Sequence, residues 1–309
     1  MKYFFLLSIL LFFYFSAFSQ EEISVNQNFR IGESYEYEIK RGKEDSRSPQ
    51  SKEIFTITSA IAEVTKGQGN NRIVTFNYGE SRIEGKNLPP EVSEQYKKQE
   101  LYYGIKISII VDELGNFYGL SNYESTKNQL EQAMIKMYES QGTKIEESTF
   151  NQLKQQLLVT YDTEEKLLDT YFPELSIYFN AFGSYFIKGE RQEATYDSTN
   201  PFGGEPFPIS SSTIYDEIKG TMAIIKGTET IEKKELNRVM KSTFKKVAES
   251  GGQPFDETKI PEFNMETTSV YRYDFKDKLL TSVTVNKHVK STGVDQNILT
   301  EIRMIKHTN

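Results

Sequence analysis

The first regular feature of the chain is an alternation of apolar and charged residues after residue 30. In RIGESYEYEIK, Tyr35, Tyr37 and Ile39 alternate with charged residues, which predicts a strand with one buried and one solvated face. The segments EIFTITSAIAEV and NRIVTFNYGES continue the strand pattern across the turn-like TKGQGNNR. Because these connections are too short for crossover helices, we predict an antiparallel meander. The apolar residues on one face of the second and third strands are Phe55, Ile57, Ile61, Val74, Phe76 and Tyr78.

The segment DELGN, which begins at Asp112, has the composition of either a cation-binding loop or a hairpin turn. A helix–loop–helix calcium site needs alternating oxygen ligands, a Gly at the sixth position and a Glu at the twelfth. Counting from Asp112, these positions hold Phe117 and Tyr123, and a predicted strand precedes the loop. We therefore predict a hairpin turn in which Gly115 adopts the left-handed backbone conformation.

After Ser121 the apolar spacing changes from two residues to three and four, which predicts helices. Ser121 and Glu124 form a capping-box pattern at the start of the first helix. A second helix is predicted from Thr143 to Leu157, and a third begins near Asp162. Residues 121–182 are thus predicted to be a mainly helical block.

The segment RQEATYDSTNPFGGEPFPISSS is rich in Pro and Gly, and we predict a long surface loop or a lid over residues 190–212. Two readings of its aromatic residues stay open: they clamp a partner, or they tuck back onto the sheet and fix the loop. The candidate ligand or partner residues are Phe202, Gly203, Gly204 and Phe207. Ser198, in the tripeptide DST, resembles the site at which Bacteroidota-type bacteria O-glycosylate exported proteins.

The C-terminal third returns to strands around one helix, EKKELNRVMKSTFKKVAES. Strands, helices, a loop, a strand, a helix and again strands follow each other with short hairpin links. This order predicts an α+β fold with a mostly antiparallel, curved sheet and helices packed on one face. We expect one such domain over residues 21–309.

Residues 1–20, MKYFFLLSILLFFYFSAFSQ, have the layout of a signal peptide: Lys2, an apolar core and a small-residue cleavage site. The apolar run is short for a membrane span. We therefore expect cleavage, export and no transmembrane segment in the mature chain. Of the 309 residues none is Cys, which excludes disulfides, cysteine–metal sites and a lipid-modified cysteine. The sequence favours the periplasm or cell surface of a Gram-negative bacterium.

The net charge of −7 argues against nucleic-acid binding. His288 and His307 are the two histidines, and neither belongs to a metal-binding or catalytic motif. We predict no catalytic, metal or cofactor residues. A carboxylate-based hydrolase needs no histidine, but the 44 acidic residues make chance carboxylate pairs uninformative.

Several segments together resemble exported Bacteroidota-type proteins of unknown function whose sheet is similar to the lipoprotein-carrier (LolA/LppX-like) half-barrel. These segments are the signal peptide ending SAFSQ, the opening strand FRIGESYEYEI, VDELGNFYGLSN and YRYDFKDKLLTSVTV. They cover about a fifth of the chain. The resemblance implies a curved antiparallel sheet wrapped on helices and, at most, a hydrophobic groove.

We therefore expect a non-catalytic binding protein of the cell envelope that acts through its surface as an accessory or interaction subunit. The alternative is a carrier that holds a lipid or another apolar ligand in a half-barrel groove, with residues 198–208 as its lid. A hydrolase with paired carboxylates is a third possibility. The first hypothesis implies an envelope protein partner, and the second an apolar ligand.

Overall fold

A computed structural model describes residues 21–45, 54–85, 102–140, 161–198, 200, 205–250, 255–257 and 260–308. The thirteen strands of these ranges are β1 (Glu22–Val25), β2 (Ser34–Asp45), β3 (Ile54–Lys66), β4 (Arg72–Gly85), β5 (Lys106–Val111), β6 (Phe117–Leu120), β7 (Ser184–Ile187), β8 (Arg191–Ser198), β9 (Phe207–Lys219), β10 (Met222–Ile231), β11 (Phe263–Asp274), β12 (Leu279–Ser291) and β13 (Val294–Thr308). The four helices are α1 (Tyr123–Ser140), α2 (Glu164–Tyr171), α3 (Pro173–Phe179) and α4 (Lys233–Ser250). The predicted second helix, from Thr143 to Leu157, lies outside the described residues.

Eleven strands form one open sheet in the order β6-β5-β4-β3-β2-β13-β12-β11-β10-β9-β8, and β1 pairs with β7 in a second, two-stranded sheet. Every neighbouring pair of strands in the large sheet is antiparallel. The predicted antiparallel sheet is therefore confirmed. The C-terminal strand β13 lies beside β2, so the last strands of the chain extend the N-terminal meander instead of forming a separate sheet.

The alternation in β2 divides the sheet into two faces. Tyr35, Tyr37 and Ile39 are buried on what we call the core face. On the opposite, outer face, Glu38 forms ion pairs with Arg82 of β4 and Arg303 of β13. Aromatic and β-branched residues on one side and charges on the other are the arrangement that a half-covered sheet requires.

In β3 the residues Phe55, Ile57 and Ile61 occupy outer-face positions. Ile61 is paired with Glu36 and is 46% exposed, whereas Ala60 and Ala62 are buried on the core face beside Tyr37 and Tyr35. Small residues fit here because the tyrosine rings and the α3 side chains already fill the space above them. The sequence alone placed Ile61 on an apolar face, but that face is the outer one.

The DELGN segment is the predicted hairpin turn between β5 and β6. The Asp112 carboxylate accepts hydrogen bonds from the backbone N–H groups of Leu114 and Asn116, and Gly115 has φ +90°. Burial alone would raise the pKa of Asp112, but the hydrogen bond from the Asn116 side-chain amide and those from the backbone N–H groups outweigh it and lower the pKa. The carboxylate is thus used to stabilise its own turn.

Helix α1 begins one residue later than a Ser121 cap would place it. Asn122 holds this junction, because its side chain accepts from the Ser108 N–H and donates to the Lys106 carbonyl group of β5. The following helix α2 is capped by Thr163, whose hydroxyl group accepts from the Lys166 N–H. The helix thus begins at Glu164, two residues after the predicted start near Asp162.

Helix α3 fills the core face. Pro173 occupies its first turn, where the missing N–H costs no helical hydrogen bond. Phe172, Tyr178 and Phe179 are buried, and α3 packs against β12 and β13. Their rings contact Tyr37, Phe76 and Tyr78 of the sheet at centroid distances of 5.4–6.0 Å.

A charged group lies inside this aromatic core. Glu174 is fully buried, its Oε2 atom lies 2.5 Å from Arg41 Nη2, and its Oε1 atom accepts a hydrogen bond from the Tyr78 hydroxyl group. Burial and the Glu174 charge raise the pKa of Tyr78, which therefore stays a neutral donor. The Arg41 guanidinium also lies over the ring of Tyr102, 4.5 Å from its centroid.

A second, smaller apolar cluster forms under α4. Leu236 and Val239 of the helix pack there with Phe207 of β9 and Ile231 of β10. The helix predicted in this segment is confirmed. Between this cluster and the main core, the same face of the sheet carries polar side chains.

The predicted loop over residues 190–212 is wrong for most of its length, because 191–198 form β8 and 207–212 begin β9. Pro208 lies at the second position of β9 opposite Asp197, close to the strand end. Proline is tolerated at such a position, where few ladder hydrogen bonds are lost. The Pro- and Gly-rich composition therefore predicted a longer loop than the segment forms.

We expect Glu174→Gln to lower the free energy of unfolding by about 3 kcal/mol, because it leaves the Arg41 charge, whose side chain is 22% exposed, without its counter-ion. Glu124→Gln is the matched control, since Glu124 is also in the first turn of a helix but its side chain is 75% exposed and 3.9 Å from Lys127. The control should change stability by less than about 0.5 kcal/mol. Urea unfolding followed by circular dichroism measures both; equal effects would contradict a structural role for the pair.

Candidate functional site

Of the four residues predicted for a functional loop, the structure describes Phe207. Phe207 is buried under α4, so its ring tucks back onto the sheet, one of the two readings left open above. Phe202, Gly203 and Gly204 lie outside the described residues. Ser198 is the last residue of β8 and pairs with Phe207. Its proposed glycosylation stays a prediction.

The two histidines are engaged in local contacts. His288 Nε2 lies 2.8 Å from Asp295 Oδ1 across the β12–β13 hairpin. His307 stacks on Tyr35 at a ring distance of 4.6 Å, and its Nε2 atom lies 3.2 Å from Glu33. The described residues contain no group of three His, Cys, Asp or Glu side chains placed to hold a metal ion.

Between the two apolar clusters the core face of the sheet is polar. We call this region the polar band; its residues are Ser211, Thr213, Glu229, Thr267, Ser269 and Lys287, from β9 to β12. On β10 it lies between Ile225, a residue of the main core, and Ile231, a residue of the cluster under α4. The side chains of the band are half-buried, so the core face is not continuously apolar.

Glu229 and Lys287 are the charged groups of the polar band. Glu229 on β10 and Lys287 on β12 both pair with Thr267 of β11, so one strand lies between them. Neighbouring strands lie about 4.8 Å apart, so the two backbones are about 10 Å apart. Glu229 accepts a 2.7 Å hydrogen bond from the Tyr196 hydroxyl group of β8, which together with burial raises the pKa of Tyr196.

Lys287 has no such partner among the described residues. Burial lowers the pKa of its ammonium group, and the Glu229 charge opposes this without reversing it. A half-buried cation without a close counter-ion costs desolvation free energy that no ion pair offsets. Sequence reasoning missed this residue because VTVNKHV reads as an ordinary strand with one charged position.

The outer face of the same strands forms an open groove of about 490 Å³. The outer-face residues of its lining are Arg191, Glu193, Thr195, Ser210, Ser212, Thr228 and Thr230, and Ala194 and Ser211, which lie at core-face positions, also border it. Arg191 donates a 2.7 Å hydrogen bond to the Ser212 hydroxyl group across the groove. Strands β8 to β10 therefore present hydrogen-bonding groups on both faces.

Two solved structures to which the chain is similar are distant from it. One, from a study of lipid–protein interactions in lipovitellin, has a TM-score of 0.42 and 6% identity, over 91% of this chain and 26% of that chain. The other is a protein described as exported, with a YmcC-like fold, from Bacteroides fragilis NCTC 9343; it has a TM-score of 0.19 and 7% identity, over 93% of this chain and 100% of that chain.

These likenesses assign neither fold nor function. This chain spans about a quarter of the length of lipovitellin, and both TM-scores are below 0.5. No protein-family model and no curated protein matches the chain. Across the described ranges, the helices are too short or too polar to cross a membrane.

We expect Lys287→Met to raise the free energy of unfolding at pH 7 by about 1 kcal/mol, since it removes a desolvated charge. The pKa of Lys287 is lower in the folded state, so the cost is present below that pKa and disappears as the pH rises toward that of an ordinary lysine. The advantage of the variant should therefore shrink between pH 7 and pH values above about 10.

Lys290→Met is the matched control, because Lys290 lies on the same strand, has a 63% exposed side chain and faces Asp295 at 3.9 Å. It should be close to neutral at all pH values. Urea unfolding as a function of pH measures the three proteins. A destabilised Lys287→Met variant would show that the ammonium group makes a favourable contact in the fold.

Proposed function

We propose that this protein is an exported, non-catalytic binding protein of the bacterial cell envelope that acts through the polar surface of β8 to β10. The observation that carries the proposal is the outer groove, an open surface of charged and hydroxyl-bearing side chains. Such a surface suits a partner with many hydrogen-bonding groups, as at the polar rim of a protein interface.

The packing of the core supports this reading over lipid carriage. Where α3 covers the sheet, Phe172, Tyr178 and Phe179 occupy the core face and are at most 4% exposed. Farther along the strands the core face changes to the polar band, which includes Glu229 and Lys287. A lipid tail would have to displace the rings or lie against charges, and both cost free energy.

Catalysis is not needed to account for the unusual groups. The buried carboxylate Glu174 is enclosed and ion-paired with Arg41, and Asp112 is occupied by its own turn. Another desolvated charge, Lys287, has its nearest charge in the polar band at Glu229, two strands away. These arrangements serve folding or binding, so we assign the protein to binding.

The first test is native co-purification from envelope membranes with wild type and Thr228→Arg, a bulky cation placed in the outer groove. Thr65→Arg is the matched control, because Thr65 is an exposed threonine on β3, far from β10 in the strand order. We expect one specific partner with wild type and control, and at least a tenfold loss with Thr228→Arg.

Two outcomes would contradict the proposal. The first is a protein recovered alone, or a partner retained equally by all three proteins. The second is a stoichiometric amount of lipid in an organic extract of the purified wild type, which would instead support the carrier alternative.

A further inference from the structure

Strand β8 is a long edge of the sheet, and its protection is limited to three charged side chains, Arg191, Glu193 and Asp197. It pairs with β9 over its whole length without a register shift, and no described strand pairs with its other side. Every residue except Ser198 is exposed. The N–H and C=O groups that point away from β9 can therefore accept another strand.

The opposite edge strand of the sheet, β6, has features that hinder pairing with another strand. Strand β6 has four residues, Phe117–Leu120, and its pairing with β5 contains a register shift. Proteins commonly guard edges with such short strands and bulges, or with Lys and Pro in the strand. The β8 sequence, RQEATYDS, contains neither Lys nor Pro, and its pairing with β9 is regular.

We propose that β8 pairs with β8 of a second copy of this chain, in an antiparallel, two-fold arrangement centred on Ala194. The argument is charge complementarity. This register places Arg191 opposite Asp197 at both ends of the pair, Glu193 opposite Thr195, and Gln192 opposite Tyr196. No like charges oppose each other, and opposite charges meet twice.

The opposed charges lie on the same side of the sheet. Arg191 and Asp197 both occupy odd positions of β8, on the outer face that carries the groove. Within one chain they are six residues apart, about 20 Å along the strand, too far to interact strongly. If a substitution at Asp197 compensates a substitution at Arg191, the two residues must therefore meet across two chains.

The pairing joins the two outer grooves across the two-fold axis, because Arg191, Glu193 and Thr195 line the groove and lie on β8. Two eight-residue strands bury less surface than a standard interface. We therefore expect a weak dimer that dissociates in the micromolar range. The inference concerns purified protein alone and does not depend on an envelope partner.

The first test uses the absence of cysteine from the natural chain. In the proposed register Ala194 faces its own copy, at a Cα distance of about 5 Å that allows a disulfide. Ala194→Cys should form a covalent dimer under mild oxidation. Thr195→Cys is the control, because its two copies are about 8 Å apart and beyond that range.

The second test exchanges charges and reads the dimerisation constant by sedimentation equilibrium. Arg191→Asp and Asp197→Arg each oppose like charges at both ends, and we expect each to weaken the dimer by about tenfold. The double variant Arg191→Asp/Asp197→Arg restores opposite charges and should recover wild-type affinity. Circular dichroism confirms that all three variants fold.

The proposal is overturned if the protein stays monomeric at high micromolar concentration, or if both cysteine variants cross-link equally. It is also overturned if the double variant shows no recovery. None of these outcomes bears on the proposed function, because a monomer can still bind an envelope partner through its groove. Conversely, loss of the partner in the Thr228→Arg experiment leaves the dimer test unaffected, since Thr228 lies on β10.

Discussion

The Tyr178 hydroxyl group connects segments that are far apart in the sequence. It lies 2.7 Å from Gln27 Oε1, 3.0 Å from the Leu280 carbonyl oxygen and 3.1 Å from the Tyr37 hydroxyl group. The N-terminal segment, β2, α3 and β12 therefore meet at one buried point. Because an unpaired polar group would be costly there, these elements must assemble together. The rings around Tyr178 then fill the core face.

This packing also limits where function can lie. The aromatic side chains of α3 and the Arg41–Glu174 pair occupy the covered part of the sheet. Strands β8 to β10 continue beyond the main core, with the polar band on one face and the outer groove on the other. A sheet that is polar on both faces gains little from burial there. We propose that this region contacts other molecules, and the exposed edge strand β8 belongs to it.

Much of the fold follows from local pattern. Alternation at Tyr35 to Ile39 marked a half-buried strand, Asp112 and Gly115 marked a hairpin, and the spacing of Leu236 and Val239 marked α4. These features depend on neighbours in sequence. The errors came from local rules applied too strictly. The Pro- and Gly-rich segment around Pro208 forms strands because β10 pairs with β9 over its length.

The sequence by itself determined the antiparallel strands, the hairpins and most of the helical segments, because side-chain periodicity and turn residues act over a few positions. Only the tertiary structure decided which face of β3 is buried, where Ala60 and not Ile61 contacts the core. It also decided that Glu174 meets Arg41 and that Glu229 and Lys287 share a row of the sheet. Such groups are brought together by strand order and register, which depend on long-range packing and not on local spacing.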